Sequence, residues 1–179
     1  MFRDTEPNLQ ICHKKLGLEL VTTGYDSLVF RDGENVRKVY VGGVGGDPPP
    51  LSERQFNFYW QITNLAYSVS ETEDLFVRLP NSKKSFIFKV NPIITARMCD
   101  CGSMEAVSKF VGGDDLESLR YKYDLADMEA GLSQLSRDLE KRLNVEGVKL
   151  DPINVKDGGH DILIATDICS DIGRLKRFH

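Results

Sequence analysis

The sequence predicts an α+β protein: a mostly antiparallel sheet with one helix inserted, then a second helix, a loop and a further strand. Three observations carry this expectation. Short alternating apolar runs, punctuated by Gly, Pro, Asn and Asp, occupy Leu16 to Met98. One stretch among them switches to helical spacing. Beyond them a leucine stripe at steps of three and four is followed by the apolar run Ile162-Leu163-Ile164-Ala165, which ends in Thr166-Asp167.

Residues 1 to 15 show no period and read as a lead-in. Leu16 to Thr23, with Leu16, Leu18, Leu20 and Val21, reads as a first strand. Leu28 to Arg31 and Val36 to Val41 read as the next two, joined by the turn Asp32-Gly33-Glu34-Asn35. The run Gly42 to Pro50 is rich in Gly and Pro. It lacks the lysine and the helix opening of a Walker loop, and it reads as a linker. Ser52 with Gln55 three residues later forms a capping-box pattern. A helix from there to about Ala66 places Phe56, Tyr59, Trp60 and Ile62-Thr63 near one face. Leu75 to Leu79, Ser85 to Val90 and Ile93 to Met98 are expected strands, with a turn at Pro80-Asn81-Ser82-Lys83. Leu125, Met128, Leu132, Leu135, Leu139 and Leu143 mark an amphipathic helix over Leu116 to Leu143. The basic end, Arg174 to His179, reads as a solvated tail.

The bulk numbers are those of a globular chain. It has 179 residues, 41% hydrophobic and 28% charged, enough for one domain or two small lobes. A formal net charge of −4 argues against a broad nucleic-acid-binding face, and no nucleic acid is expected as a partner. No apolar run is long enough to span a bilayer, and the opening residues lack a signal-peptide apolar region. No membrane role and a cytoplasmic location are the expectations. Cys12, Cys99, Cys101 and Cys169 are then expected as reduced thiols, and Cys99-Asp100-Cys101 as small side chains near a strand end instead of half a zinc site.

Candidate chemistry sits at the two ends of the chain. Gly24-Tyr25-Asp26-Ser27 joins two strands; a glycine there permits close main-chain approach to phosphates, and equally suits an ordinary hairpin. On the following strand, alternation puts Val36, Lys38 and Tyr40 on one face. A lysine there calls for an anion, and Glu53 or a phosphate can supply it; the other reading is a surface lysine on an edge strand. Asp167 ends an apolar strand, where a carboxylate is rarely found without a partner or a metal. Asn154 and Asp167 together offer two oxygen ligands for a hard cation such as magnesium. Either can also be a turn or cap residue.

Taken in order, these segments resemble the protein-kinase-like superfamily. Gly24 to Phe30, including Ser27, is similar to its glycine-rich loop, Val36-Arg37-Lys38-Val39 to its lysine strand, and Glu53 to the helix partner of that lysine. Arg97 to Gly102 falls where the hinge between lobes belongs. Pro152-Ile153-Asn154-Val155 resembles the Pro-Gly-Asn-Val segment of small-molecule kinases, and Thr166-Asp167-Ile168 the Asp-Phe-Gly position. The resemblance implies a two-lobed fold. The N-lobe, residues 1–98, is an antiparallel sheet with one helix, and residues 99–179 form a reduced helical C-lobe. It also implies ATP and magnesium as cofactors: Gly24, Ser27, Lys38 and Glu53 on the nucleotide, Asn154 and Asp167 on the metal, and Lys38 and Asp151 as catalytic residues.

Two departures bear on activity. The family's catalytic Asp lies five residues before the metal-binding Asn; here that residue is Lys149, and the nearest acid, Asp151, lies three before Asn154. Only 12 residues follow Asp167, which leaves no room for a peptide-substrate platform. Two readings follow. One is a minimal phosphotransferase that moves phosphate from ATP to a hydroxyl of a protein or small molecule. The other is a pseudokinase-like binding module that acts through protein partners.

Overall fold

A computed structural model describes residues 17–23, 27–41, 51–98 and 102–178. The chain divides into two compact units: residues 1–60 with 93–110, and residues 61–92 with 111–178 and the last residue.

The first unit is built on a five-stranded antiparallel sheet. Its strands are β1 (Glu19–Thr23), β2 (Ser27–Asp32), β3 (Asn35–Tyr40), β6 (Ile93–Met98) and β7 (Met104–Lys109), in the order β1-β2-β3-β7-β6. The β2–β3 hairpin turns where expected, with Gly33 at φ 59°, a conformation that glycine adopts without a Cβ clash. Alternation sorts the two faces. Leu28, Phe30 and Val39 are buried together with Leu18 and Val41 at their margin. On the opposite face Tyr40 meets Phe56 and Tyr59 edge-on, at centroid distances of 5.4 and 6.3 Å. Those two rings come from the start of α1 (Glu53–Thr72). The capping box forms there: Gln55 N donates to Ser52 Oγ at 3.3 Å, and Ser52 N donates to Gln55 Oε1 at 3.1 Å.

α1 runs past the expected end near Ala66 to Thr72. No Gly or Pro interrupts it, and the hydroxyls of Ser68 and Thr72 bond back to carbonyls four residues earlier. Its last turns belong to the second unit, where Lys89 donates to the carbonyl of Ser70 near the helix end.

β7 is a strand that the sequence reading left unassigned. Its Glu105, 1% exposed, is held between Arg37 Nη1 at 3.2 Å and Arg97 Nε at 2.9 Å, one from each neighbouring strand. The domain boundary expected after residue 98 falls between β6 and β7. These two strands are paired along their length, so both belong to the first unit.

The second unit has a four-stranded sheet of β4 (Leu75–Arg78), β5 (Ser85–Val90), β9 (Val155–Asp157) and β10 (Ile162–Ala165), in the order β4-β5-β10-β9. β10 runs parallel to β5, and the other pairs are antiparallel. β4 and β5, expected to join the first sheet, therefore lie with the strand that leads to Asp167. A two-stranded ribbon pairs β8 (Val145–Glu146) with β11 (Lys176–Arg177).

The leucine stripe forms α2 (Leu125–Leu143), with Met128, Leu132, Leu135, Leu139 and Leu143 buried. The helix begins later than the expected Leu116 because Asp124 caps it, its Oδ1 accepting from Asp127 N at 3.0 Å. Residues 116–123 form turns instead, and Leu116 N bonds to Pro152 O and Val155 O at 3.1 and 3.0 Å. α2 lies close to β4 at Gly131, where a Cβ would come within 2.8 Å of Arg78 O. The buried Asp127 carboxylate accepts from Asn81 N and Ser82 N at 2.8 and 2.9 Å and so ties α2 to the β4–β5 turn.

Candidate functional site

The second unit assembles two turns side by side, one carrying Asn154 and the other Asp167. β10 ends at Ala165, whose carbonyl accepts from Asn91 N at 2.8 Å and whose register partner on β9 is Val155. Thr166 follows, and its N and Oγ1 both donate to Asn154 O, at 2.8 and 3.0 Å. Asn154 closes a one-turn 3₁₀ helix, Pro152–Asn154, whose turn is sealed by Asn154 N donating to Asp151 O at 2.9 Å. Asn154 thus lies beside the end of the strand that leads to Asp167, joined to it through its carbonyl.

Asp167 is buried, at 4% exposed. Its Oδ1 accepts from Cys169 N at 3.0 Å, a turn that fixes the carboxylate against its own backbone. The Cys169 thiol is buried and lies 3.0 Å from both Gly147 O and Asp171 O. Lys149 N donates to Ile168 O at 2.9 Å, so the 147–154 segment is laced to the 166–169 turn at a second point.

The 147–152 segment is also held from α2. Ser136 Oγ donates to Leu132 O at 2.9 Å and accepts from Leu150 N at 3.1 Å. Beyond this link an open hollow of about 440 Å³ is bordered by Glu129, Ser133, Ser136, Lys149, Asp151 and Pro152. The Asp151 carboxylate, 24% exposed, faces Lys149 Nζ at 3.1 Å. The Lys149 side chain is largely exposed, so this pair lies in a wet setting where an ion pair contributes little to stability.

On the first unit, Lys38 shares the face of β3 with Tyr40, as alternation predicted, and its ammonium lies 5.1 Å from the Tyr40 ring centroid. Ser27 is buried at the start of β2 opposite Tyr40 in register. Glu53 is exposed at the first turn of α1. Gly24, the run from Gly42 to Pro50, and the Cys99-Asp100-Cys101 part of the expected hinge lie outside the described residues.

In the second unit, the Asp157 and Asp127 carboxylates are held below their ordinary value. For Asp157 the main cause is the hydrogen bond from Lys122 at 2.7 Å, which outweighs desolvation, with Gly159 N and Tyr123 Oη adding donors. For Asp127 desolvation acts upward and is outweighed by the N–H groups of Asn81 and Ser82. Both read as structural anchors.

The donor chemistry of Asn154 and Asp167 suits a hard divalent cation, which takes oxygen ligands. Among the described residues no cluster of three or more His, Cys, Asp or Glu side chains forms a cage. A magnesium ion bound with a nucleotide needs none, because phosphate oxygens and water complete its shell. Thr166 and Ser136 are the contributors that sequence reading missed. Thr166 adjoins Asp167, but a hydroxyl beside an acid is no signal in itself.

No protein-family model and no curated protein sequence matches the chain. Solved structures do. A chain of the CAK complex of Chaetomium thermophilum bound to ATP-γ-S matches 97% of this chain at 12% identity, with a TM-score of 0.53. The fold is protein-kinase-like. The Cydia pomonella granulovirus kinase PK-1 also matches 97% of the chain, at 11% identity and a TM-score of 0.48. The chain spans 52% and 57% of those two chains, little more than half of each. Within this kinase-like fold, no helix among the described residues is long and apolar enough to cross a membrane.

Proposed function

We propose that the chain is a compact kinase-like phosphotransferase that moves the γ-phosphoryl group of ATP to a hydroxyl of a protein or small molecule. The observation that carries this reading is the double hydrogen bond from Thr166 to Asn154 O, which sets two oxygen-ligand residues beside one another in a kinase-like fold. Asn154 and Asp167 hold magnesium, which supplies charge neutralisation for the phosphates when bound. Lys38 binds the α and β phosphates. Glu53, Ser27 and the Gly24 loop belong to the nucleotide side.

Asp151 takes the proton of the acceptor hydroxyl. The acceptor oxygen bonds to the γ-phosphorus, the bond from that phosphorus to the bridging oxygen breaks, and ADP leaves with the electron pair. The base must be a free carboxylate within hydrogen-bond reach of the hydroxyl. Asp151 lies at the edge of the hollow, where an acceptor can approach it, and Lys149 has to give way or share it.

That ion pair favours a second reading. With its carboxylate engaged by Lys149, Asp151 can be a loop anchor, and the chain a pseudokinase-like binding module whose surface serves a protein partner. A transfer assay with γ-labelled ATP separates the two readings. Phosphotransferase activity predicts label transfer that falls about 10²- to 10⁴-fold in Asp151→Asn, with nucleotide affinity kept. Nucleotide binding with no transfer by the unaltered protein assigns it to the binding module.

A further inference from the structure

We propose that Thr166 is the positioning residue for the metal-ligand pair: its hydroxyl, with its own backbone N–H, fixes the Asn154 backbone to the strand end that carries Asp167. This rests on the reading of Asn154 and Asp167 as magnesium ligands.

A carbonyl oxygen has two lone pairs, and Asn154 O has both engaged by one residue, at 2.8 and 3.0 Å. The N–H bond continues the antiparallel register of the β9–β10 ladder, and the hydroxyl bond is the one that ladder pairing does not supply. The last pair of the β9–β10 ladder is Val155–Ala165, closed by Thr166 N donating to Asn154 O, and the Thr166 hydroxyl adds a second bond at that point. Without the hydroxyl, the junction between the two turns keeps only the terminal ladder bond from Thr166 N. Thr166 is itself well anchored, since Ala165 before it is paired to Val155 on one side and to Val90 of β5 on the other. Asn154 is less so. It closes a single 3₁₀ turn in which, of Pro152, Ile153 and Asn154, none is buried. The hydroxyl therefore carries the rigidity of the sheet to the residue that lacks it. A β-branched side chain has few χ1 choices, which keeps the donor aimed.

The test compares Thr166→Val, which keeps the shape and loses the donor, with Thr166→Ser, which keeps the donor. The probe is Mn²⁺ titrated in the presence of ADP, with free Mn²⁺ read by electron paramagnetic resonance. ADP binding without metal and thermal unfolding serve as controls. The expected result is about tenfold weaker Mn²⁺ binding in Thr166→Val, near-complete recovery in Thr166→Ser, and unchanged metal-free ADP affinity. Equal Mn²⁺ affinity in the unaltered protein and Thr166→Val overturns the inference while the metal site stands. Equal weakening in both variants also overturns it, because the hydroxyl is then not the cause. Absence of any Mn²⁺ binding with ADP by the unaltered protein overturns the metal-ligand reading and this inference with it.

Discussion

Ser136→Ala isolates the link between α2 and the segment that carries Lys149 and Asp151. Ser136 Oγ stands 3.1 Å from Leu150 N and 2.9 Å from Leu132 O, in a buried setting with Leu150 4% exposed. Leu132 O keeps its place in the helix ladder when the hydroxyl is removed, so the cost falls on the Leu150 N–H. A buried donor left without a partner costs about 1–3 kcal/mol. The open hollow borders Ser136, and water entering from it can recover part of that, which places the expectation near the lower end, about 1–2 kcal/mol. For a chain of this size that is a fall in Tm of about 2–8 °C. Amide exchange at Leu150 should quicken at the same time, since the segment loses its tie to α2. Ser133→Ala is the control: Ser133 is exposed on the same stretch of helix, and its loss should stay within about 0.5 kcal/mol. Differential scanning calorimetry with hydrogen exchange reads both variants. Equal stability of Ser136→Ala and Ser133→Ala, with unchanged Leu150 exchange, would refute the claim that Ser136 holds the segment.

Other perturbations probe the second unit in the same way. Gly131→Ala gains about 1 kcal/mol of helix propensity, but its Cβ would stand 2.8 Å from Arg78 O and 3.0 Å from Val77 Cγ1. Overpacking of that kind costs about 1–3 kcal/mol, so denaturant melts should show net destabilisation, and a stabler variant would contradict the close α2–β4 approach. Asp157 and Asp127 have folded-state pKa values below their ordinary 3.8, so their contribution is present above that value and lost as pH falls through the lowered ones. Lys122→Met removes the largest cause at Asp157, and the loss of stability from about pH 6 to about pH 3 should shrink; an unchanged acid limb speaks against that anchor.

Local chemistry was legible in the sequence where it acts over a few residues. The capping box at Ser52 and Gln55, the Gly33 turn and the buried leucine stripe all depend on neighbours within a turn or two, and each forms. What escaped depends on distant partners. β7 hides because Glu105 occupies a buried strand position, and only Arg37 and Arg97, from two other strands, make that tenable. β4 and β5 lie beside β10 through a parallel pairing of Ile87 with Ile162 that no local pattern announces. The start of α2 was misplaced because Leu116 looks like a continuation of the stripe, whereas its backbone N–H is spent on the 152–155 loop. At the site, the order of Asn154 and Asp167 was readable, and the atoms that join them were not: Thr166 acts through a hydroxyl and an amide on a carbonyl twelve residues earlier.

Calorimetric titration of ATP into the protein, with and without magnesium, tests the central claim most directly. Binding should depend on magnesium and weaken about tenfold or more in Asp167→Asn, with the fold of that variant intact by circular dichroism. ATP affinity that is indifferent both to magnesium and to Asp167→Asn would contradict the claim, and so would the absence of ATP binding under either condition.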